Sequence, residues 1–307
     1  MDSITHTLIG VGIGTVASSQ LNLNGNEELI IMGAAILASN VQDFDVITKL
    51  FGNVSFINNH RGASHMLRWV SPIALLISII FTVLFKIDLG IVFTVSIISL
   101  LLHIGLDSLN SYGTKLTEKS WVRIGVIHTF DLVLILILSF STLLKVIDIN
   151  VFNYSFILIA IYLSVRLFTQ LRIKRLIKSQ CNPVRGLIMA KGNSFTWNVV
   201  LEFDGKYLVF DYAFGKKLKV DNIQKESINP TLLNSIENSE VISAFKGLSP
   251  IYIVKTVEGN DEVTVKYTDL RYRYKGNYYF NAIYKYNHKK NVTNSSIGWN
   301  LKHAESL

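Results

Sequence analysis

Residues 88–107 read DLGIVFTVSIISLLLHIGLD, an apolar run that ends in a histidine and an aspartate four positions apart. A run of about 20 apolar residues is long enough to cross the hydrocarbon core of a bilayer as a helix. On that helix His103 and Asp107 leave the same face about one turn apart, a spacing typical of metal ligands. A hydrogen bond that only fixes helix packing is the alternative, and the pair alone does not decide between the two.

Further apolar runs lie on both sides of this one. Three of them cover residues 68–86, 130–147 and 152–170, and two shorter runs at 4–18 and 29–41 are rich in Gly, Ala and Ser, which suits close helix packing. Half of the 307 residues are hydrophobic and only 17% are charged, which excludes a disordered chain. We therefore predict an α-helical transmembrane bundle of about six spans.

The placement of Lys and Arg predicts the orientation of this bundle. The last span runs into a basic cluster, and such clusters stay in the cytoplasm. The cluster comprises Arg166, Arg172, Lys174, Arg175 and Lys178. Counting back through six spans places the N-terminus and the loops at 42–67 and 107–129 on the same side. We expect a multi-pass cell-membrane protein with both termini cytoplasmic, and we attribute its net charge of +8 to the membrane surface rather than to nucleic acid.

Beyond residue 186 the sequence changes to short alternating stretches typical of β-strands. These stretches are 196–203, 206–212, 251–257, 263–267 and 278–286. The turn Phe203-Asp204-Gly205-Lys206 is typical of a hairpin, because Asp-Gly accepts positive φ angles. We predict a C-terminal cytoplasmic β-rich (α+β) domain over 186–295 with a helix near 231–238. It follows a transmembrane domain over 1–178 and precedes a flexible tail over 296–307.

Polar and ionisable residues gather at the helix ends that this orientation places in the cytoplasm. They are Asp2, His6, Asn40, Asp43, Asp45, His60, His65, His103, Asp107 and Asp131. Ionisable groups at the edge of a span are costly unless partnered, so they indicate a functional site. The single cysteine, Cys181, excludes a thiolate cage, and any metal here is therefore held by nitrogen and oxygen.

Two of these segments add candidate ligands. The stretch His60-Arg61-Gly62-Ala63-Ser64-His65 offers two imidazoles and a guanidinium whose forked donors match phosphate oxygens. Asp43 and Asp45 end the stretch 40–45 and can bridge two cations or act as one ligand and one base, with Asp45 the better ligand. Exposed loop histidines and a helix-capping Asp are the alternatives for each segment taken alone.

Taken together, these segments resemble the YdjM-like family of membrane proteins, described as metal-dependent hydrolases. The similarity spans about residues 1–135 and covers Met1–His6, Asn40–Asp45, His60–His65, His103–Thr114 and Asp131. Gln42 stands where the family usually has Pro, and Ser64 and Met66 stand where Thr and Ser are common, but no proposed ligand is lost. The β-rich part resembles the extension of YfhP-type members of Gram-positive bacteria.

The resemblance implies a membrane-bound metal-dependent hydrolase. The sequence also contains, in order, an N-terminal His, an Asp, a His and a His-x-x-x-Asp pair, an order similar to that in the helical zinc-dependent phospholipase C and nuclease proteins. This similarity implies that the bond cleaved is a phosphoester, in a lipid or another membrane-associated substrate at the cytoplasmic face. One or more Zn²⁺ ions, or Mn²⁺ or another divalent metal, would be held by His6, Asp45, His60, His65, His103 and Asp107. Asp43 or Asp131 would serve as base or complete the ligand shell of the metal, and Arg61 would steady phosphate charge.

Two other functions stay open at this point. An ion-coupled transporter would use buried ionisable groups to coordinate cations, but it predicts polar residues across the whole membrane, whereas spans three, five and six look apolar throughout. A regulatory membrane scaffold would bind a partner through its β-rich domain and use the metal only for stability. The sequence does not specify the oligomeric state.

Overall fold

The structure is a computed structural model that describes residues 1–23, 25–147, 149–192, 195–225, 236, 239–259, 262–274, 276–287 and 292–299. Its N-terminal half is helical. The helices are α1 (Ser3–Gln20), α2 (Asn26–Asn40), α3 (Asn53–Asn59), α4 (Val70–Phe85), α5 (Leu89–Leu109), α6 (Leu132–Val146) and α7 (Phe152–Gln180). A 3-10 helix over Val41–Phe51 extends α2, and a hairpin of β1 (Thr114–Thr117) and β2 (Ser120–Val122) follows α5.

The six predicted apolar runs all form helices. Four helical stretches are long and apolar enough to cross a membrane, namely Asn26–Phe51, Leu67–Phe85, Leu89–Leu109 and Phe152–Gln180. Helix α6 is apolar but shorter, with 15 residues. Apolar membrane helices in the N-terminal half are therefore confirmed, while the count of six crossings and the cytoplasmic side of the termini stay predictions.

The C-terminal part contains two four-stranded sheets. The first has the order β3-β4-β5-β6 and the second β12-β11-β8-β7, with antiparallel pairing between neighbours from β4 to β6 and throughout the second sheet. The elements are β3 (Arg185–Ala190), β4 (Trp197–Glu202), β5 (Lys206–Ala213), β6 (Lys216–Gln224), α8 (Glu240–Leu248), β7 (Tyr252–Glu258), β8 (Glu262–Asp269), β9 (Arg273–Tyr274), β10 (Asn277–Tyr278), β11 (Phe280–Asn287) and β12 (Val292–Trp299).

Five predicted strands are confirmed as β4, β5, β7, β8 and β11. The predicted hairpin is confirmed too, since the Phe203 amide donates to the Lys206 carbonyl at 2.8 Å. The helix predicted near 231–238 lies outside the described residues except for Ile236, and the described helix begins at Glu240 instead. The predicted tail is wrong for 296–299, which pair with β11 as the end of β12, and 300–307 lie outside the described residues.

The chain divides into two compact units whose bounds differ from the predicted domains. Unit 1 comprises Met1–Val46, His60–Arg172 and Met189–Ser194, and unit 2 comprises Ile47–Asn59, Ile173–Ile188 and Phe195–Leu307. The segment Ile47–Asn59, which was expected within the helical domain, thus belongs to unit 2. The physical reason is its packing there, where Asn53 donates its amide to the Ile297 carbonyl at 3.0 Å.

Close packing of α1 on α2 depends on glycines spaced four residues apart. A Cβ atom added at Gly10 would lie 2.7 Å from the Ile36 Cα, and one added at Gly14 would lie 2.5 Å from the Met32 Cα. Small residues at this spacing let two helix backbones approach in a bilayer. Because α1 carries His6 and α2 leads into Asp43, this contact also positions the candidate site.

Gly14→Ala is expected to destabilise the bundle, because its Cβ meets backbone that cannot rotate away. Overpacking of this kind costs about 1–3 kcal/mol in the free energy of unfolding. Gly105→Ala in α5 is the matched control, since a Cβ there meets nothing within 4 Å. Thermal unfolding of the two purified variants in detergent measures the difference. Equal melting temperatures would contradict the packing described here.

Candidate metal centre

Four side chains that are distant in sequence meet near the C-terminal end of α5. His103 and Asp107 come from α5, Asp43 from the 3-10 helix after α2, and His65 from a separate 3-10 turn. One donor atom of each lies within 4.8 Å of those of the other three. The side chains of His65, His103 and Asp107 are fully buried, whereas 14% of the Asp43 side chain is exposed. We call these four residues the His/Asp cluster.

Distances within the His/Asp cluster match those between ligands of one tetrahedral ion. The Nε2 atoms of His65 and His103 are 3.0 Å apart. Asp43 Oδ1 lies 3.6 Å from each of these nitrogens, and Asp107 Oδ2 lies 3.5 Å from His65 Nε2 and 3.8 Å from His103 Nε2. Ligands about 2.1 Å from a tetrahedral ion are about 3.4 Å from one another. Two imidazole nitrogens and two carboxylate oxygens therefore form a donor set that fits one divalent cation.

Hydrogen bonds on the far side of each imidazole fix which nitrogen faces the cluster. His103 Nδ1 donates to the Ser39 carbonyl at 2.7 Å. The Ser64 hydroxyl donates to Asp45 Oδ2 at 2.7 Å, so it accepts from His65 Nδ1, which lies 2.9 Å away. Both Nε2 atoms then present lone pairs to each other, which is unfavourable unless a proton or a metal lies between them.

Two carboxylate oxygens of the cluster have no hydrogen-bond donor among the described residues. They are Asp43 Oδ1 and Asp107 Oδ2, and both are buried. Arg61 and the Met1 amino group balance part of this charge, with Arg61 Nε 3.0 Å from Asp107 Oδ2 and the amino group hydrogen-bonded to Asp107 Oδ1. Burial of a carboxylate is costly unless it is paired or coordinates a metal. The second carboxylate, Asp43, is then balanced either by a proton on His65 or by a bound cation.

The same carboxylates change the protonation of His65. Burial lowers the pKa of His65, but the close carboxylates of Asp107, Asp43 and Asp45 outweigh that effect and raise the pKa to about 10. At neutral pH the imidazole therefore carries an extra proton on the nitrogen that faces the cluster. A metal ion would have to displace this proton, because only the neutral ring coordinates.

Metal binding is therefore expected to release about one proton per ion below pH 10. The apparent Kd should fall about tenfold per pH unit as the solution approaches that pH from neutral, because His65 loses its proton more readily. Calorimetric titration with Zn²⁺ in two buffers of different ionisation enthalpy counts the protons. His128→Gln, which changes a histidine outside the cluster, should release the same number. Binding without proton release would show that His65 is already neutral or is not a ligand.

Two residues predicted as ligands, Asp45 and His60, lie one layer outside the cluster. Asp45 Oδ1 pairs with His60 Nδ1 at 2.7 Å, and Asp45 Oδ2 accepts from the Arg61 amide at 2.8 Å as well as from Ser64. Asp45 thus orients His65 from the side opposite the cluster. The structure brings Asp43, rather than Asp45, among the four donors.

Two further predicted residues have different surroundings. His6 stacks on His103 with ring centroids 3.9 Å apart, and its Nε2 lies 3.4 Å from Asp107 Oδ1. Asp107 therefore faces His6 and the Met1 amino group with one oxygen and the cluster with the other. Asp131 caps α6 by accepting from the Val133 amide and also accepts from the Tyr162 hydroxyl, so its described contacts are structural.

Arg61 has an unusual backbone held by its neighbours. Its φ angle is +57°, a left-handed conformation that costs a non-glycine residue about 1–2 kcal/mol. The bonds from its amide to Asp45 and from the Lys115 amide to its carbonyl hold it there. The side chain is buried, with Nη2 donating to the Met1 carbonyl at 3.1 Å, while Nη1 has no hydrogen-bond partner among the described residues.

Sequence reasoning missed the side chains that join the motifs. The amide of Gln42 donates to the Ser64 carbonyl at 3.2 Å and so ties the segment of Asp43 to the turn of His65. Asn110 accepts from the Tyr112 and Gly113 amides and closes the loop after α5. The unusual residue at position 42 was the available signal, because a proline there has no side-chain donor.

This fold and site define a membrane protein with a buried histidine and aspartate centre. The chain belongs to the family described as YdjM inner membrane protein, which matches residues 1–173, more than half of its length. The domain described as YfhP C-terminal alpha/beta plait matches residues 231–306. The chain is 27% identical to the uncharacterized protein YfhP of Bacillus subtilis (strain 168), over 97% of this chain and 95% of that protein. No solved structure matches it.

Proposed function

We propose that this protein is a membrane-bound metal-dependent hydrolase that cleaves a phosphoester in a lipid or membrane-associated substrate at the cytoplasmic face. The observation that carries the proposal is the His/Asp cluster, in which four donors converge and two buried carboxylate oxygens lack hydrogen-bond donors. A site of this kind next to membrane helices is a functional hypothesis by default. Membership of the YdjM family adds support to a metal-dependent membrane protein.

The donor set favours Zn²⁺ as the bound ion, with Mn²⁺ as the alternative, because imidazole suits zinc and carboxylates suit either ion. His65, His103, Asp107 and Asp43 would hold the ion. His6 faces the other oxygen of Asp107, which accepts a hydrogen bond from the Met1 amino group. A metal bound here would polarise the phosphoryl oxygen and lower the pKa of a bound water toward about 7.

The other groups of the site suit the remaining parts of a hydrolysis. Asp43 is the most exposed member of the cluster, so water and substrate would approach past it, and its carboxylate is placed to accept a proton from water. Arg61 Nη1 is a buried donor available to a phosphate oxygen. Asp131 was an alternative base on sequence grounds, but its contacts with α6 and Tyr162 favour Asp43 for that role.

The cytoplasmic location rests on the basic residues of α7. Arg172, Lys174, Arg175 and Lys178 are exposed along its C-terminal part, as expected for contact with anionic lipid headgroups or water. Arg166 differs, because it is buried and donates through Nε to the Val126 carbonyl at 3.1 Å. Four exposed cations still favour the predicted orientation.

Phosphate release by the purified full chain tests the function. The substrates would be phosphatidic acid, a prenyl phosphate and p-nitrophenyl phosphate, each with added Zn²⁺ or Mn²⁺, and bis-p-nitrophenyl phosphate would report diesterase activity. We expect turnover with at least one substrate that chelation abolishes and metal restores. A protein that binds stoichiometric metal but hydrolyses none of them would overturn the proposal. Unfolding on chelation without hydrolysis would favour the scaffold.

One observation favours a cation transporter as the second candidate. Ser99 and Ser96 follow His103 along one face of α5, and both hydroxyls are buried without a hydrogen-bond partner among the described residues. Hydroxyl oxygens can coordinate a passing cation, although small polar residues also serve helix packing. Zn²⁺ or Mn²⁺ flux into liposomes that contain the protein would establish transport, and Ser99→Ala should then slow it.

A further inference from the structure

Unit 1 contains an apolar cavity next to the His/Asp cluster. Its volume is about 470 Å³, and every side chain that lines it is apolar. The lining residues come from α1, α5, α6 and α7 and include Ile9, Ile13, Leu102, Leu106, Leu138 and Phe156. Cavities of this size hold small-molecule ligands in other proteins.

One end of the cavity is lined by residues that adjoin the metal centre in sequence, although no member of the His/Asp cluster is itself among the lining residues. Leu102 and Leu106 are the sequence neighbours of His103 and Asp107, and Ile9 lies one turn after His6 in α1. From Leu106 the lining continues along α5 as far as Val95. The eleven helical steps between Val95 and Leu106 cover about 16 Å, which is close to half of the roughly 30 Å hydrocarbon core of a bilayer. The cavity is thus about as long as one leaflet.

We propose that this cavity binds one hydrocarbon chain of the substrate lipid and so presents the phosphate headgroup to the His/Asp cluster. The inference rests on the proposed function and narrows its substrate to an amphiphile with a phosphate at the end of a long acyl or prenyl chain. An apolar wall offers such a chain no hydrogen bonds and no charge, and it selects by length and width. All polar contacts of the bound lipid would then be those of its phosphate headgroup at the metal centre.

Part of the cavity wall is more buried than the ordinary lipid-facing surface. Val95, Leu106, Leu134 and Leu138 are nearly inaccessible to solvent, whereas the lining residues Ile98 and Leu102 are exposed to the same degree as Ile80 on α4. Four helices contribute contacts to a chain in the cavity, while a chain at α4 meets one helix face. Enclosure by more atoms gives more dispersion contacts and a longer residence.

Photolabelling of the purified full chain with hexadecyl phosphate that carries a mid-chain diazirine tests this inference. We expect the label mainly on α1 and α5. Ala160→Trp fills the cavity from α7 and should reduce that labelling at least about fivefold. Leu76→Trp on α4 is the matched control and should leave it unchanged. Excess unlabelled hexadecyl phosphate should compete, and inorganic phosphate should not.

The outcomes separate this inference from the proposed hydrolysis. Equal labelling of α4 and the cavity helices, unaffected by Ala160→Trp, would identify annular lipid only and overturn the inference. Metal content, measured on the same samples, should be equal in both variants and the parent. If no phosphoester is hydrolysed but the labelling pattern holds, the lipid site stands and the catalytic proposal fails.

Discussion

Replacement of His103 and Asp107 together by alanine is expected to reduce bound metal from about one ion per chain to less than about a tenth of that. Loss of an outer-layer contact typically weakens metal binding by 10–100-fold, and this variant removes two of four direct donors. Only two donors would remain, the buried His65 and the partly exposed Asp43. Metal analysis by mass spectrometry after dialysis against buffered Zn²⁺ measures the content, and phosphoester hydrolysis should disappear with it.

Controls separate loss of a ligand from loss of the fold. His128→Gln removes a histidine whose described contacts are with Phe130 and should keep full metal content. His65→Gln is a milder test, because glutamine retains an amide of similar size in the cluster. Elution volume and helical circular dichroism should stay the same in all variants. Stoichiometric metal in the double variant would refute the ligand assignment.

The helices could be predicted from the sequence because apolar length is a strong signal in a bilayer. The strands were predicted less completely. Strands β3, β6 and β12 were all missed, and each is an edge strand, although the fourth edge strand of the two four-stranded sheets, β7, was predicted. Residues 216–220 of β6 are exposed on both faces, so they lack the alternation of polar and apolar residues that marks a half-buried strand.

The cluster contains Asp43 instead of the predicted ligand Asp45, and this difference also has a local cause. The sequence suggested a helix-to-loop transition, but residues 41–51 form a 3-10 helix. With about three residues per turn, side chains two positions apart are rotated by about 240° and so point about 120° away from each other. Asp43 therefore points to His65 and His103, while Asp45 points to the outer layer. No pattern of residue types distinguishes a 3-10 helix from a loop, whereas the i, i+4 pair in α5 was predictable from an ordinary helix.

Arg61→Lys is expected to lower kcat for phosphoester hydrolysis by about 10²–10³ and to leave metal content unchanged. Lysine keeps the positive charge beside Asp107 but loses the fork through which arginine holds Asp107 and the Met1 carbonyl and, in the proposed reaction, would also hold a phosphate oxygen. Loss of one donor to a developing oxyanion typically costs this factor. Arg68→Lys is the matched control, because Arg68 is exposed and pairs with Glu118.

The pattern of kinetic constants then decides what Arg61 does. If Arg61 stabilises charge that develops during the reaction, kcat and kcat/KM fall together and KM hardly changes. If Arg61 only holds Asp107 in place, metal content falls in Arg61→Lys, and excess Zn²⁺ restores the rate. If Arg61→Lys keeps both its metal content and its hydrolysis rate, then Nη1 of Arg61 binds no phosphate. The proposed substrate would then have to be an uncharged ester at the same metal centre rather than a phosphoester.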